Sequence, residues 1–183
     1  NEVLSGGNFH GQPIALVLDY LKLAVAEIGN IMERQVAKLV DASTNDGLPA
    51  FLIDSAGINS GLMIHQYTAA ALVSENKVLG HPASADSIPT SANQEDHVSM
   101  GPIAGRQLLE IINNVQKVLA IHSLTAKQAV DMRLQQFGSK IPVQLADATQ
   151  ELYDKIEAAG VSKITADRFL WEDIDNILRL VEY

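Results

Sequence analysis

Apolar residues recur at spacings of three and four along most of the chain, and this period predicts helices. From about Pro13 to about Asp41, the residues Leu21, Val25, Ile28, Met32, Val36 and Leu39 fall on one stripe. Lys22, Glu33, Arg34 and Lys38 lie largely off it. Pro13 suits a first helical position, where a missing N–H costs nothing. At 1.5 Å per residue this helix spans roughly 43 Å, longer than the usual globular helix. A loop rich in turn formers follows, STNDGLPAFLIDSAGINSG. A second helix is predicted over about 61 to 79, where Ala69-Ala70-Ala71 allows neighbours to approach closely. GHPASADSIPTS, with two prolines, cannot be a long helix. A third helix is predicted over about 102 to 136, with Leu108, Ile112, Val115, Leu119, Ala126 and Ala129 on its buried face. Two shorter helices close the chain, at about 142 to 159 and 165 to 182. Gly160 is placed to stop the first, and Thr165 to cap the second. No strand is predicted. The pattern is all-α, a bundle of long helices. A chain of 183 residues has difficulty covering helices this long, so association with further chains is expected.

Composition narrows the function classes. The hydrophobic fraction of 47% with 19% charged residues is that of a chain able to build a core, not of a disordered one. A formal net charge of −9 would repel a phosphate backbone, which argues against nucleic-acid binding. No run approaches the roughly 18 apolar residues of a membrane span. The absence of cysteine removes disulfides, thiolate metal sites and cysteine nucleophiles, and fits a reducing, cytoplasmic setting. The opening NEVLSGGNFHG has neither an initiator Met nor a signal pattern, so the chain is expected to be a C-terminal piece of something longer.

The densest chemistry lies in SANQEDHVSMG, residues 91 to 101, where Gln94, Glu95, Asp96 and His97 stand in a row. One reading is a helix start. Ser91 with Gln94 three residues later has the capping-box form, and acids in a first turn suit the helix dipole. That reading covers Ser91, Gln94 and one acid. It leaves the crowding of Asn93, Glu95, Asp96 and His97 open, apart from Asn93–His97 and Glu95–Ser99 pairs at i, i+4. The five histidines, His10, His65, His81, His97 and His122, form no HxxxH or HExxH, so no metal site is expected. His65 and His122 read as hydrogen-bonded core or interface residues. SGGNFHG lacks GxGxxG spacing and a preceding strand, and reads as a tight loop entering the first helix. No GxSxG elbow occurs.

Four blocks together resemble the histidine ammonia-lyase family: SGGNFHGQP at 5–13, GLPAFL at 47–52, INSGLMIHQYTAAALVSENK at 58–77, and HPASADSIPTSANQEDHVSMG at 81–101. The resemblance is dense over residues 1 to 133 and thin over the last 45 or so. It implies part of the all-α, aspartase/fumarase-like helical core of a homotetramer. It also implies elimination of ammonia from an aromatic α-amino acid. The family's electrophile is 4-methylideneimidazol-5-one (MIO), built from an internal Ala-Ser-Gly that this sequence does not contain. Ser55-Ala56-Gly57 has those residues in the wrong order and region. The chain is therefore expected to be the C-terminal segment of such an enzyme, inactive alone, with residues 1–137 as the core carrying site loops and 138–183 as a helical pair.

Three positions carry over. Phe9 matches the phenylalanine lining the pocket near electrophile and substrate. Glu95 matches the acid that histidine-specific members place close to bound substrate, where it can bind the imidazole ring, bind the amine or act as a base. Gln94 falls near the amino group or the electrophile. Asp96 and His97 receive no role beyond supporting hydrogen bonds. Phenylalanine and tyrosine lyases usually have HNQD here, with glutamine in place of Glu95. A carboxylate accepts well from an imidazole N–H, whereas a phenyl ring gains nothing from a buried charge. The family's alanine and glutamate in NFHAEP are Gly11 and Gln12 here, read as tolerated variation. L-Histidine, converted to trans-urocanate, is thus the expected substrate of the parent. The alternatives are a segment of a phenylalanine or tyrosine lyase or aminomutase, and a non-catalytic helical oligomerisation fragment. An aspartase- or fumarase-type enzyme is more distant, since its serine loop GSSxMPxKxN is absent.

Overall fold

The computed structural model describes residues 1–4, 6, 9–138 and 144–181. Among these residues are five α-helices: α1 (Gln12–Val40), α2 (Met63–Leu79), α3 (Gly101–Phe137), α4 (Asp147–Ala158) and α5 (Trp171–Val181). Short 3₁₀ turns stand at Ala50–Leu52, Ala83–Ala85 and Ser91–Asn93. No strand forms among the described residues, only two isolated bridges, Ala56–Asn59 and Thr90–Glu95.

The three long helices begin and end within two residues of expectation. Pro13 lies in the first turn of α1 and Pro102 in that of α3. At both places an unpaired N–H would otherwise face out of the helix end. α3 is the spine, packed by α1, α2 and α5. One core cluster joins Met32 and Val36 of α1 to Ala69 of α2 and to Val118 and Ile121 of α3. A second joins Val40, Leu52, Ile53 and Leu62 to Leu124 and Met132, and further to Ile156, Val161, Ile164, Leu170 and Ile177.

The buried face of α1 is not the expected stripe. Met32 and Val36 are buried, but Leu21 and Ile28 are 41% and 54% exposed, while Lys22 and Glu33 are buried. The inward line instead runs through Ala15, Asp19, Lys22, Gly29, Met32, Val36 and Val40. Polar residues can follow it because each buried charge has a partner. Glu33 takes a bidentate grip from Arg34, at 2.6 and 2.7 Å. On α3, Leu108 and Ala129 are buried as expected. Ile112, Val115, Leu119 and Ala126 are only half-buried, and Ile111, Val118 and Leu124 lie deeper.

Two predicted caps do not form. Ser91 starts no α-helix. Ser91, Ala92 and Asn93 have φ of 52°, 53° and 68°, and Ser91 makes no capping bond. A left-handed turn cannot present the successive N–H groups that a capping box ties, so the Asn93–His97 and Glu95–Ser99 helical pairs do not arise either. Thr165 caps nothing, since α5 begins at Trp171. The Gln128 amide holds the intervening segment extended across α3, donating to Ile164 O at 2.9 Å and accepting Ile164 N–H at 2.9 Å. Gly160 does close α4: at φ 88° its N–H reaches Glu157 O at 2.9 Å, and Val161 N–H reaches Ile156 O at 3.3 Å. The expected start of this helix at 142 lies outside the described residues, as does residue 182; α4 itself begins at Asp147.

Candidate functional site

Two loops meet where α1 and α3 begin. A methyl group added at Gly101 would touch the Ala15 methyl at 3.8 Å, so the two helix starts lie against each other. The chain entering α1 carries Phe9, and the loop entering α3 carries Gln94 and Glu95.

The second loop is shaped by its own backbone. The Thr90 and Glu95 backbones exchange two bonds, 3.0 Å from Thr90 N to Glu95 O and 3.2 Å in return. Between them the left-handed turn at 91–93 reverses the chain, with Gln94 N–H closing on Ser91 O at 3.0 Å. Left-handed backbone costs a residue such as Ala92 roughly 1–2 kcal/mol, so the surrounding loop must impose it. Lower in the loop, the Ser87 hydroxyl accepts Val98 N–H at 2.7 Å and donates to Val98 O at 3.1 Å.

A buried charge pair fixes the loop's foot to α1. Lys22 is fully buried and donates to His81 O at 2.9 Å and to Gln107 Oε1 at 2.6 Å, with Asp19 Oδ1 2.7 Å away. Asp19 Oδ2 accepts Ser84 N–H at 2.7 Å. Burial alone would raise the Asp19 pKa. The Lys22 ammonium and the Ser84 and Ala83 donors outweigh it, and hold the carboxyl at about 2. The pattern of apolar and polar positions does not mark this network. Its only local trace is an acid and a lysine three residues apart on one helix.

The first loop lies along the second at three points. His10 stacks on His97, with ring centroids 4.8 Å apart and 9° between planes, and His10 Nε2 lies 2.5 Å from His97 O. A methyl at Gly11 would come within 2.7 Å of Ser99 Oγ. Gln12 Nε2 donates to Ser84 O at 3.2 Å. The structure therefore brings together the two segments that carry the predicted site residues. Phe9 (96% exposed), Gln94 and Glu95 keep their side chains in the open.

Such a set can do part of a reaction. An aromatic ring offers an apolar wall, a carboxylate accepts from N–H donors, and an amide does both. None of them is an electrophile. The MIO group implied by the family resemblance needs Ala-Ser-Gly, and this chain has none. Its open wall and acceptor suit a place beside such a group, not its origin.

The remaining histidines sit elsewhere. His65 on α2 is half-buried; burial lowers its pKa against the opposing pull of Asp173, and its Nδ1 is buried without a hydrogen bond. Within this chain Nδ1 therefore does not fit the hydrogen-bonded core half of the expectation, core or interface, made for His65. Burial also lowers the pKa of His122, which lines an apolar hollow of about 250 Å³ between α3 and α4. Among the described residues no three His, Cys, Asp or Glu side chains converge as a metal site.

Comparisons with known proteins fit this frame. The family model for aromatic amino acid lyases matches residues 1–158. The chain is 53% identical over 182 residues to a histidine ammonia-lyase of Treponema denticola, and 55% identical over 181 residues to one of Symbiobacterium thermophilum. In both cases the match covers 99% of this chain but 34% of the relative, so the chain spans about a third of the length of the curated relatives it matches. The crystal structure of histidine ammonia-lyase from Trypanosoma cruzi superposes with a TM-score of 0.88 at 43% identity, over 99% of this chain and 34% of that one. Tyrosine aminomutase from Streptomyces globisporus gives the same TM-score at 35% identity, over 99% and 33%. The long-helix core, the paired loops and a match over residues 1–158 place this chain in the aromatic amino acid lyase family.

Proposed function

We propose that this chain is the C-terminal third of a histidine ammonia-lyase, and that the whole enzyme converts L-histidine to trans-urocanate and ammonia. The observation that carries the reading is Glu95, a carboxylate on a loop pinned beside the Phe9 segment, in a chain 51–55% identical to proteins named histidine ammonia-lyase. Fold does not separate the substrates, since an aminomutase for tyrosine superposes as well as a histidine lyase. The side chain at position 95 can.

The reaction breaks the Cα–N bond, removes a β-proton and leaves a Cα=Cβ double bond conjugated with the imidazole. The β-proton is weakly acidic and ammonia leaves poorly, so the whole enzyme needs an electrophile and a base. MIO, when present, supplies that electrophile. This chain's residues bind and orient. Glu95 accepts a hydrogen bond from the imidazole N–H. Phe9 packs on the substrate and shields it from water. Gln94 serves the amino group.

Oligomerisation belongs to the same proposal. Ile14, Val17, Leu21, Ile28 and Ile31 of α1 are 41–67% exposed. Isolated apolar residues on a surface are ordinary, but a row of them along one long helix marks an interface. Further copies of the parent chain, in a homotetramer, are the occupants we assign. No described helix is long and apolar enough to cross a membrane. We place the parent in the cytoplasm, consistent with a sequence free of cysteine.

The test is ultraviolet detection of urocanate as the full-length enzyme is mixed with L-histidine. Turnover of tyrosine or phenylalanine in its place, with none of histidine, would overturn the substrate.

A further inference from the structure

The two site loops touch chiefly through His10. Its Nδ1 accepts the Gln12 N–H at 3.1 Å, so Nδ1 carries no proton. Its Nε2, 2.5 Å from the carbonyl oxygen of His97, must then be the protonated nitrogen and donate there. The ring plane lies on the His97 ring. One side chain therefore fixes the turn into α1 and bridges it to a residue 87 positions away. Phe9 is its neighbour on one side of the bridge, and Glu95 stands two residues from the other end.

We propose that His10 is a positioning residue: its neutral, Nε2-protonated ring sets the spacing between Phe9 and Glu95 across which substrate binds. This rests on the reading that Phe9 and Glu95 face the substrate. His10 does not itself touch the reacting atoms. It acts through the His97 carbonyl, which no substitution at position 97 removes. Neighbouring contacts support the same register, Gly11 against Ser99 and Gln12 on the Ser84 carbonyl. Misplacing a substrate wall by about 1 Å can cost about a hundredfold in rate.

The test uses the full-length lyase carrying this segment, with three substitutions at one position and L-histidine as substrate. His10→Ala removes both ring and donor. His10→Gln retains an N–H at the reach of Nε2 but no ring. His10→Phe retains the ring but no donor. We expect His10→Ala to lower kcat/KM by about tenfold to a hundredfold. We expect His10→Gln to recover most of that loss and His10→Phe little of it. Turnover within twofold of the parent for His10→Ala overturns the proposal. Equal recovery by Phe and Gln also overturns it, because ring packing alone would then suffice. Should His10→Ala not assemble, Gln against Phe decides by the same rule. Glu95→Gln, run beside them, separates the two levels. If it leaves histidine turnover unchanged, the substrate reading fails and the proposal with it. If it impairs turnover while His10→Ala does not, only the positioning role falls.

Discussion

Replacing Lys22 by methionine tests the way the site loop is anchored. The change keeps most of the side-chain volume in a fully buried position, so packing is largely preserved and the charge is lost. Two routes give its magnitude. Asp19 is held at about 2 against an ordinary 3.8. At 1.36 kcal/mol per unit, that corresponds to at most about 2.5 kcal/mol of stability at neutral pH, which Lys22 shares with the Ser84 and Ala83 donors. Removing Lys22 also leaves His81 O and Gln107 Oε1 without their donor, at roughly 1–3 kcal/mol for each group that stays dry. With one of the two groups still dry the sum is about 3.5–5.5 kcal/mol, close to the range of about 3–5 kcal/mol for breaking a buried ion pair from one side. The pH dependence has a definite sign. The Asp19 carboxyl is depressed in the folded state, so its contribution is complete above about pH 4 and is lost as the pH falls through about 2. The assay is thermal and urea unfolding of the full-length protein for Lys22→Met, Asp19→Asn and the double variant. Lys22→Met should be strongly destabilised, and Asp19→Asn in that background should recover part of the loss by removing the stranded charge. A Lys22→Met protein that unfolds with the parent, or a double variant no better than the single, would refute this reasoning.

Other outcomes follow from the same geometry. Gln128→Leu strands Leu52 O, Ile164 O and Ile164 N–H in the core, and should cost about 3 kcal/mol or more, with faster amide exchange at Ile164. Gly61→Ala should prevent folding or lower its yield sharply, since φ is +51° and the added methyl would lie 2.5 Å from Phe51 O and 2.8 Å from Ile53 Cβ; soluble expression reads this directly. The 183-residue chain assayed alone should release no urocanate from histidine, because it lacks Ala-Ser-Gly.

The long helices were legible because their signals are local: a period near 3.6, a proline in the first turn of α1 and α3, and a glycine after α4. Non-local forces decided the rest. Lys22 reads as a surface residue on a helix, and only the meeting of Asp19, His81 and Gln107 from separate segments makes its burial tolerable. Ser91 and Gln94 satisfy a capping pattern, yet the Thr90–Glu95 bridge turns the backbone left-handed there. Thr165 suits a cap, but Gln128 claims the neighbouring backbone for α3. On α1 the apolar residues cover more than one face, so periodicity could not say which side this chain buries and which stays open. Family resemblance, not spacing, singles out Phe9 and Glu95 as candidates. The contact joining their segments runs through His10 to a carbonyl 87 residues away, and nothing local marks it.

The central claim is that the Glu95 carboxylate selects histidine, and the most direct test is Glu95→Gln in the full-length enzyme, comparing kcat/KM for histidine and for tyrosine. Glutamine keeps an acceptor oxygen, so the change removes the charge assistance, about 1–1.5 kcal/mol, or roughly fivefold to tenfold in kcat/KM. The account predicts that loss for histidine and no loss for tyrosine. Histidine turnover equal to that of the parent enzyme would contradict it.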